Sequence, residues 1–142
     1  IDVPLIRYVD VLLMWAEAIN EQGFNEQAVD LVSQVRLRAG GALLQISDAC
    51  ESTYVSNQSD MRERIRNERR MEFPAEGINF FDEMRWQTWK EKVFDMNGGI
   101  KQVWGDNIAD YSWKGDYIYN WAIPQTEIEI NPNLKQNPGW VG

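Results

Sequence analysis

The sequence predicts an all-α protein built of antiparallel helix hairpins and a long irregular C-terminal arm. Three observations carry that prediction. Apolar residues recur at three-and-four spacing along the N-terminal part, and glycines interrupt that pattern at Gly23 and at Gly40-Gly41. After "MNGGI" the helical period is lost, and residues 98–142 hold three of the five prolines and four of the seven tryptophans.

The first helix is expected over about 5–22, with Leu5, Tyr8, Leu12, Trp15, Ala16 and Ile19 on one face and Pro4 in its first turn, where a missing N–H costs little. Gly23 suits its C-terminal cap. Asn25 suits the N-cap of a second helix over about 25–39, which carries Ala28, Val32, Val35 and Ala39 on its inner face and ends at Gly40-Gly41. This hairpin covers about thirty-five residues, close to the tetratricopeptide period of roughly 34. Its residue pattern matches that repeat only in part, so a tetratricopeptide-like hairpin is expected from length rather than from motif. Residues 41–59 show no sustained period and read as loop. Asp60 is placed as the cap of a third helix over about 61–73, which Pro74 ends or kinks. A fourth helix is expected over about 76–94, with Phe80, Phe81, Met84 and Trp89 available for burial. The arm, 98–142, is expected to wrap over helices with its aromatics or to complete a surface from other sequence.

A chain of 142 residues, 44% hydrophobic and 25% charged, has the size and composition of a single domain, expected over 1–142. The formal net charge of −8 opposes long-range attraction to nucleic acid or anionic membranes. The five arginines between 62 and 70 are interleaved with glutamates, and no nucleic-acid partner is expected. No apolar run approaches a membrane span, and the first residues lack the pattern of a signal peptide. The abrupt opening "IDVPLIRYVDVLLMWAEAI" is what a fragment would show. There is no histidine, and the single cysteine is Cys50. Neither an internal disulfide nor a zinc site of nitrogen and sulfur ligands is expected, and "DMNGG" lacks the further acids of a calcium loop. No phosphate loop or nucleophile elbow appears, so no cofactor or metal is expected.

The stretch "ERRMEFPAEGINFFDEMRW", 68–86, is the densest in charge. On a wheel of 100° per residue, Met61, Ile65, Glu68 and Glu72 fall within an arc of about 60°. Two carboxylates thus lie in an apolar seam, where each needs a donor from another element. Arg36 and Arg38, in "VRLRAG", are the expected donors, with Arg85 next, in a structural network linking the second helix to the third. A glycosidic acid–base pair is the competing reading. A general acid must hold its proton, whereas neighbouring arginines favour the charged carboxylate, so no catalytic residue is expected.

The segments "LIRYVDVLLMWAEAINEQG", "VSQVRLRAG", "IRNERRMEFPAEGINFFDEMRW" and "WAIPQTEIEINPNLKQNPGW", in this order, resemble the C-terminal part of the SusD/RagB family. The resemblance covers nearly the whole chain, least well at 41–59 and 93–115. It implies a non-enzymatic, lipid-anchored glycan-binding protein on the outer membrane surface of Bacteroidetes-type bacteria. Such a protein sits over a SusC-like TonB-dependent transporter and helps deliver oligosaccharide. The family's lipid-anchored cysteine lies upstream, and Cys50 is not that residue. Much of the family's glycan site also lies upstream, so this chain is expected to be the C-terminal part of a larger protein.

Within this portion the ligand candidates are Trp104, Tyr111 and Trp113, whose segment also carries Asp106, Asn107, Asp110 and Asp116. Sugar C–H faces stack on aromatic rings while polar groups fix hydroxyls. The competing reading has these rings clamp the arm onto helices. Tyr117, Tyr119 and Trp121 alternate like an extended strip and are expected to be buried, with Trp140 as a tail anchor. A different class of function, a helical interaction module that docks on the transporter without its own ligand site, stands beside the binding reading.

Overall fold

The computed structural model describes residues 6–95, 102–103, 106–107 and 113–140, and side-chain caps satisfy free backbone groups at the starts of its second and third helices. Helix α1 (Tyr8–Gln22) follows an extended Arg7, three residues later than the spacing predicted. Pro4 and Leu5 lie outside the described residues. Helix α2 (Glu26–Arg38) is capped by Asn25, whose side chain accepts from the Gln27 N–H at 2.8 Å. It closes with Gly40 at φ 78°, where the Gly40 N–H donates to Leu37 O and the Gly41 N–H to Arg36 O. Only glycine adopts that backbone without strain. Helix α3 (Gln58–Glu72) starts earlier than expected, because its cap is Asn57, which accepts from the Ser59 and Asp60 N–H groups. Asp60 reaches back instead to accept from the N–H of Ser56, the residue before the cap.

The chain gathers into two units, Ile1–Asn79 and Phe80–Gly142. In the first, α1 and α2 form the antiparallel hairpin and α1 also packs on α3. The core takes Val9, Leu12, Leu13 and Ala16 from α1, Ala28, Val29, Leu31, Val32 and Val35 from α2, and Met61, Ile65 and Phe73 from the third helix and its end. The inner face of α1 differs from the predicted one. Tyr8 is 75% exposed and Trp15 49% exposed, while Val9 and Leu13 are buried. Helix α1 is apolar on nearly every side, so spacing alone did not select the face that meets α2 and α3. The stretch 41–59, read as loop, also has internal order. Leu44 and Val55 are buried, Gln45 and Tyr54 form a parallel bridge, and the Leu44 N–H donates to Ser33 Oγ. At the other end of α1 the buried Asn20 donates to Gln58 O, and Gln58 donates to Asn20 O, tying α1 to the start of α3.

Helix α4 (Ile78–Trp86) is shorter than the expected 76–94. Gln87 takes φ 57°, its N–H donates to Met84 O, and the Thr88 N–H donates to Glu83 O. This is the same left-handed closure that ends α2, made here without glycine, so the sequence did not announce it. A π-helical turn, Lys90–Asp95, follows. Met84 is buried and Trp89 half-buried, but Phe80 and Phe81 are exposed. Asp82 and Glu83 are buried in their place, with Arg85 donating to Asp82 and Thr88 Oγ1 to Glu83.

The described residues of the arm are mostly irregular, as predicted, with short ordered pieces. Strands β1 (Gln102–Val103) and β2 (Asp106–Asn107) pair antiparallel, Asp116–Tyr119 forms a 3-10 turn, and α5 spans Gln125–Ile130. Side-chain amides fold the tail back on itself. Gln136 exchanges two hydrogen bonds with the Ile123 backbone, and Asn137 donates to Trp121 O. Trp140 donates to Asn120 O and meets the Tyr117 ring edge-on at 4.9 Å, which makes it an anchor of the tail. Trp121, expected to be buried, is exposed. No helix among the described residues is long and apolar enough to cross a membrane.

Candidate functional site

Two places concentrate polar chemistry, one in each unit. In the first, α3 turns Glu68 and Glu72 toward α2 beside the apolar pair Met61 and Ile65. Glu68 accepts from Arg36 Nη1 at 2.9 Å, and Glu72 accepts from Arg38 Nη2 at 2.6 Å. Both carboxylates are largely covered, with 12% and 9% of their side chains exposed. Arg85, next in line as a donor, stands on α4 and donates to Asp82 at 3.0 Å.

Sequence reasoning missed the rest of this network. Arg7 donates to Glu72 at 2.8 Å and holds Glu76 through both Nε and Nη2. Arg69 donates to Asp10 at 2.8 Å, and its guanidinium lies over the Phe73 ring. Asp10 is the one charge in the apolar run from Tyr8 to Ala16, and a charge in that setting needs a partner. That was the available hint, but its partner is 59 residues away.

The electrostatic consequences follow from these pairs. Hydrogen bonds to Glu72 and then Glu76 raise the Arg7 guanidinium above its ordinary range. On the far side of the seam, the Arg62 hydrogen bond holds the Glu21 carboxyl below the usual glutamate range and outweighs its partial desolvation. A shallow depression of about 260 Å³ beside Glu68 and Glu72 is lined also by Arg36, Ala39, Gly41 and Met71. Carboxylates engaged in this way are held in place as charge partners.

The second place is a recess of about 370 Å³ in the second unit, lined by Gln87, Lys90, Glu91, Asp116, Tyr119 and Asn120. Tyr119 fixes one wall, since its hydroxyl donates to Gln87 O and accepts from the Lys90 N–H, both at 3.1 Å. Trp113 stands behind it. Its ring lies 5.1 Å from Tyr119 and 5.5 Å from Phe94, and its indole N–H donates to Asp116 at 3.0 Å. Of the three predicted ligand residues, Trp113 is thus beside the recess, half-buried and engaged. Trp104 and Tyr111 lie outside the described residues. Gln87, Lys90 and Asn120 were not singled out from sequence, because no spacing rule joins the end of one helix to a turn some thirty residues on. No group of three or more metal-binding side chains occurs among the described residues.

Comparison with known proteins places the chain in context. The model of the SusD family matches residues 1–140. A SusD-like protein of Formosa agariphila is 28% identical over 136 residues, which are 96% of this chain and 24% of that protein. A second SusD-like protein of the same organism is 31% identical over 142 residues, covering 97% of this chain and 26% of its own length. Among solved structures, a SusD-like protein from Bacteroides fragilis has 31% identity and a TM-score of 0.69, over 95% of this chain and 25% of that one. A SusD superfamily protein from Parabacteroides distasonis has 32% identity and a TM-score of 0.58, over 96% of this chain and 27% of that one. The chain spans about a quarter of the length of these relatives.

Proposed function

The chain belongs to the SusD family, and from that premise we propose that it is the C-terminal portion of a cell-surface, lipid-anchored protein that captures glycans or oligosaccharides and passes them to a SusC-like TonB-dependent transporter. The role is non-catalytic and needs no cofactor. It is exercised at the outer membrane, with the membrane reached only through a lipid anchor. In this reading the first unit is scaffold, and its network of Arg7, Arg36, Arg38, Glu68 and Glu72 holds helices in register. Ligand contact belongs to the second unit, with Trp104, Tyr111 and Trp113 as the aromatic candidates.

The observation that carries the binding reading is the recess beside Tyr119, where carboxamide, carboxylate and ammonium groups converge on an aromatic wall. That mixture suits hydroxyl-rich ligands, which donate and accept hydrogen bonds together. A second reading, an interaction module without its own ligand site, is favoured by the exposed apolar residues Tyr8, Val11, Met14 and Trp15 on α1. Calorimetric titration of this chain and of the full-length protein against a glycan panel separates the two. Binding by both supports a ligand site in this portion, binding by the full-length protein alone favours the interaction module, and binding by neither removes the glycan reading.

A further inference from the structure

We propose that the recess lined by Gln87, Lys90, Glu91, Asp116, Tyr119 and Asn120 is a subsite for a neutral, hydroxyl-rich saccharide unit, contacted directly by the side chains of Gln87, Lys90 and Asn120. The proposal rests on the glycan-binding reading above and names both the ligand class and the residues that hold it.

Three observations carry it. The volume, about 370 Å³, lies within the range of small-molecule sites, roughly 300–1,000 Å³. The wall is preorganised, because Tyr119 is fixed at both hydroxyl hydrogen bonds and Asp116 is oriented by the Trp113 indole. A ligand entering here meets an aromatic wall and one carboxylate already in place, and the ordering cost falls on Gln87, Lys90 and Asn120 alone. Finally, the Gln87 and Asn120 carboxamides and the Lys90 ammonium engage no partner among the described residues. They retain their hydrogen-bonding capacity for a ligand.

The balance of groups selects the ligand class. The lining contains two carboxylates, one ammonium and two carboxamides, a formal charge of −1. Glu91 is paired with Lys92 at 3.0 Å, but Asp116 has only the neutral Trp113 indole as its partner among the described residues, so an anionic sugar would meet the Asp116 charge, whereas a hydroxyl can donate to a carboxylate and accept from an ammonium or amide. A neutral pyranose offers both donors and acceptors to these groups.

The test compares the wild-type full-length protein with the double variant Lys90→Ala, Asn120→Ala by calorimetry against malto-, laminari-, xylo- and galacturonate oligosaccharides. Both substitutions spare the backbone bonds at these positions, Lys90 N–H to Tyr119 and Trp140 to Asn120 O. Thermal midpoints of the two proteins should therefore agree. The expected result is binding of at least one neutral oligosaccharide, weakened about tenfold or more in the variant, with galacturonate bound more weakly than the neutral ligand. Unchanged affinity in the variant overturns the subsite while leaving the glycan reading in place. Preferential binding of galacturonate that is lost in the variant overturns the neutral class. No binding of any saccharide by the wild-type protein overturns the glycan reading and the subsite together. A variant with a lowered midpoint is replaced by Gln87→Ala, judged by the same affinity criterion.

Discussion

Arg69 on α3 donates to the Asp10 carboxylate on α1 at 2.8 Å, with 4% of the arginine side chain and 14% of the aspartate side chain exposed. The pair spans the first unit and lies against Phe73, whose ring faces the guanidinium. Arg69→Met is expected to leave Asp10 as an uncompensated, largely buried charge and to cost about 3–5 kcal/mol. Asp10→Asn keeps an acceptor and should cost less, about 1–3 kcal/mol. Urea denaturation of both variants measures this, and a loss below about 1 kcal/mol for Arg69→Met would show that water already screens the pair.

The seam glutamates should behave as scaffold. Glu72 accepts from both Arg7 and Arg38, and Glu68 from Arg36. Glu72→Gln is expected to destabilise by about 2–3 kcal/mol and Glu68→Gln by about 1 kcal/mol, since charge-assisted bonds are the stronger kind. Thermal unfolding and a reducing-sugar assay are run on the same samples. A variant that abolished glycan hydrolysis by the wild type, at an unchanged midpoint, would mark that glutamate as catalytic.

Acid should release the Glu21–Arg62 pair. The folded-state value of Glu21 is lowered, so its contribution is complete above the ordinary glutamate value of about 4.3 and is lost as pH falls through the lowered one. Arg62 is shifted upward and stays charged throughout that window. Because Glu21 is 43% exposed, solvent screening keeps the effect under about 1 kcal/mol. Urea midpoints followed from about pH 6 to about pH 2 should fall less in Glu21→Gln than in the wild type. Parallel curves would assign the acid sensitivity to other carboxylates.

Two glycines should differ in what an added methyl does. A Cβ at Gly139 would overlap Tyr117, at a backbone φ of +89°, whereas one at Gly40 meets open space at φ +78°. Gly40→Ala is expected to cost about 1 kcal/mol from backbone strain alone. Gly139→Ala should cost more and should disturb the Tyr117–Trp140 contact, visible in near-ultraviolet circular dichroism. Equal effects of the two substitutions would show that the tail yields without resistance.

Much of the helical framework was legible in residues close together in the chain. Asn25 and Gly40 announced the ends of α2, and Pro74 the end of α3, because caps and breakers act on backbone groups only a few positions away. The end of α4 was not legible, since Gln87 adopts a left-handed closure that its side chain does not advertise.

The sequence by itself determined the class of fold and the helix hairpin, which rest on periodicities and caps of short range, and the family resemblance, which rests on four segments in a fixed order. Tertiary structure decided which face of α1 is buried, because that helix offers apolar residues in several directions and only contact with α2 and α3 chooses among them. It also decided the charge partners, Arg7 with Glu72 and Asp10 with Arg69, and gathered Gln87, Lys90 and Asn120 around Tyr119. Such pairings join residues tens of positions apart, and their energy exists only once folding has brought them within hydrogen-bond distance.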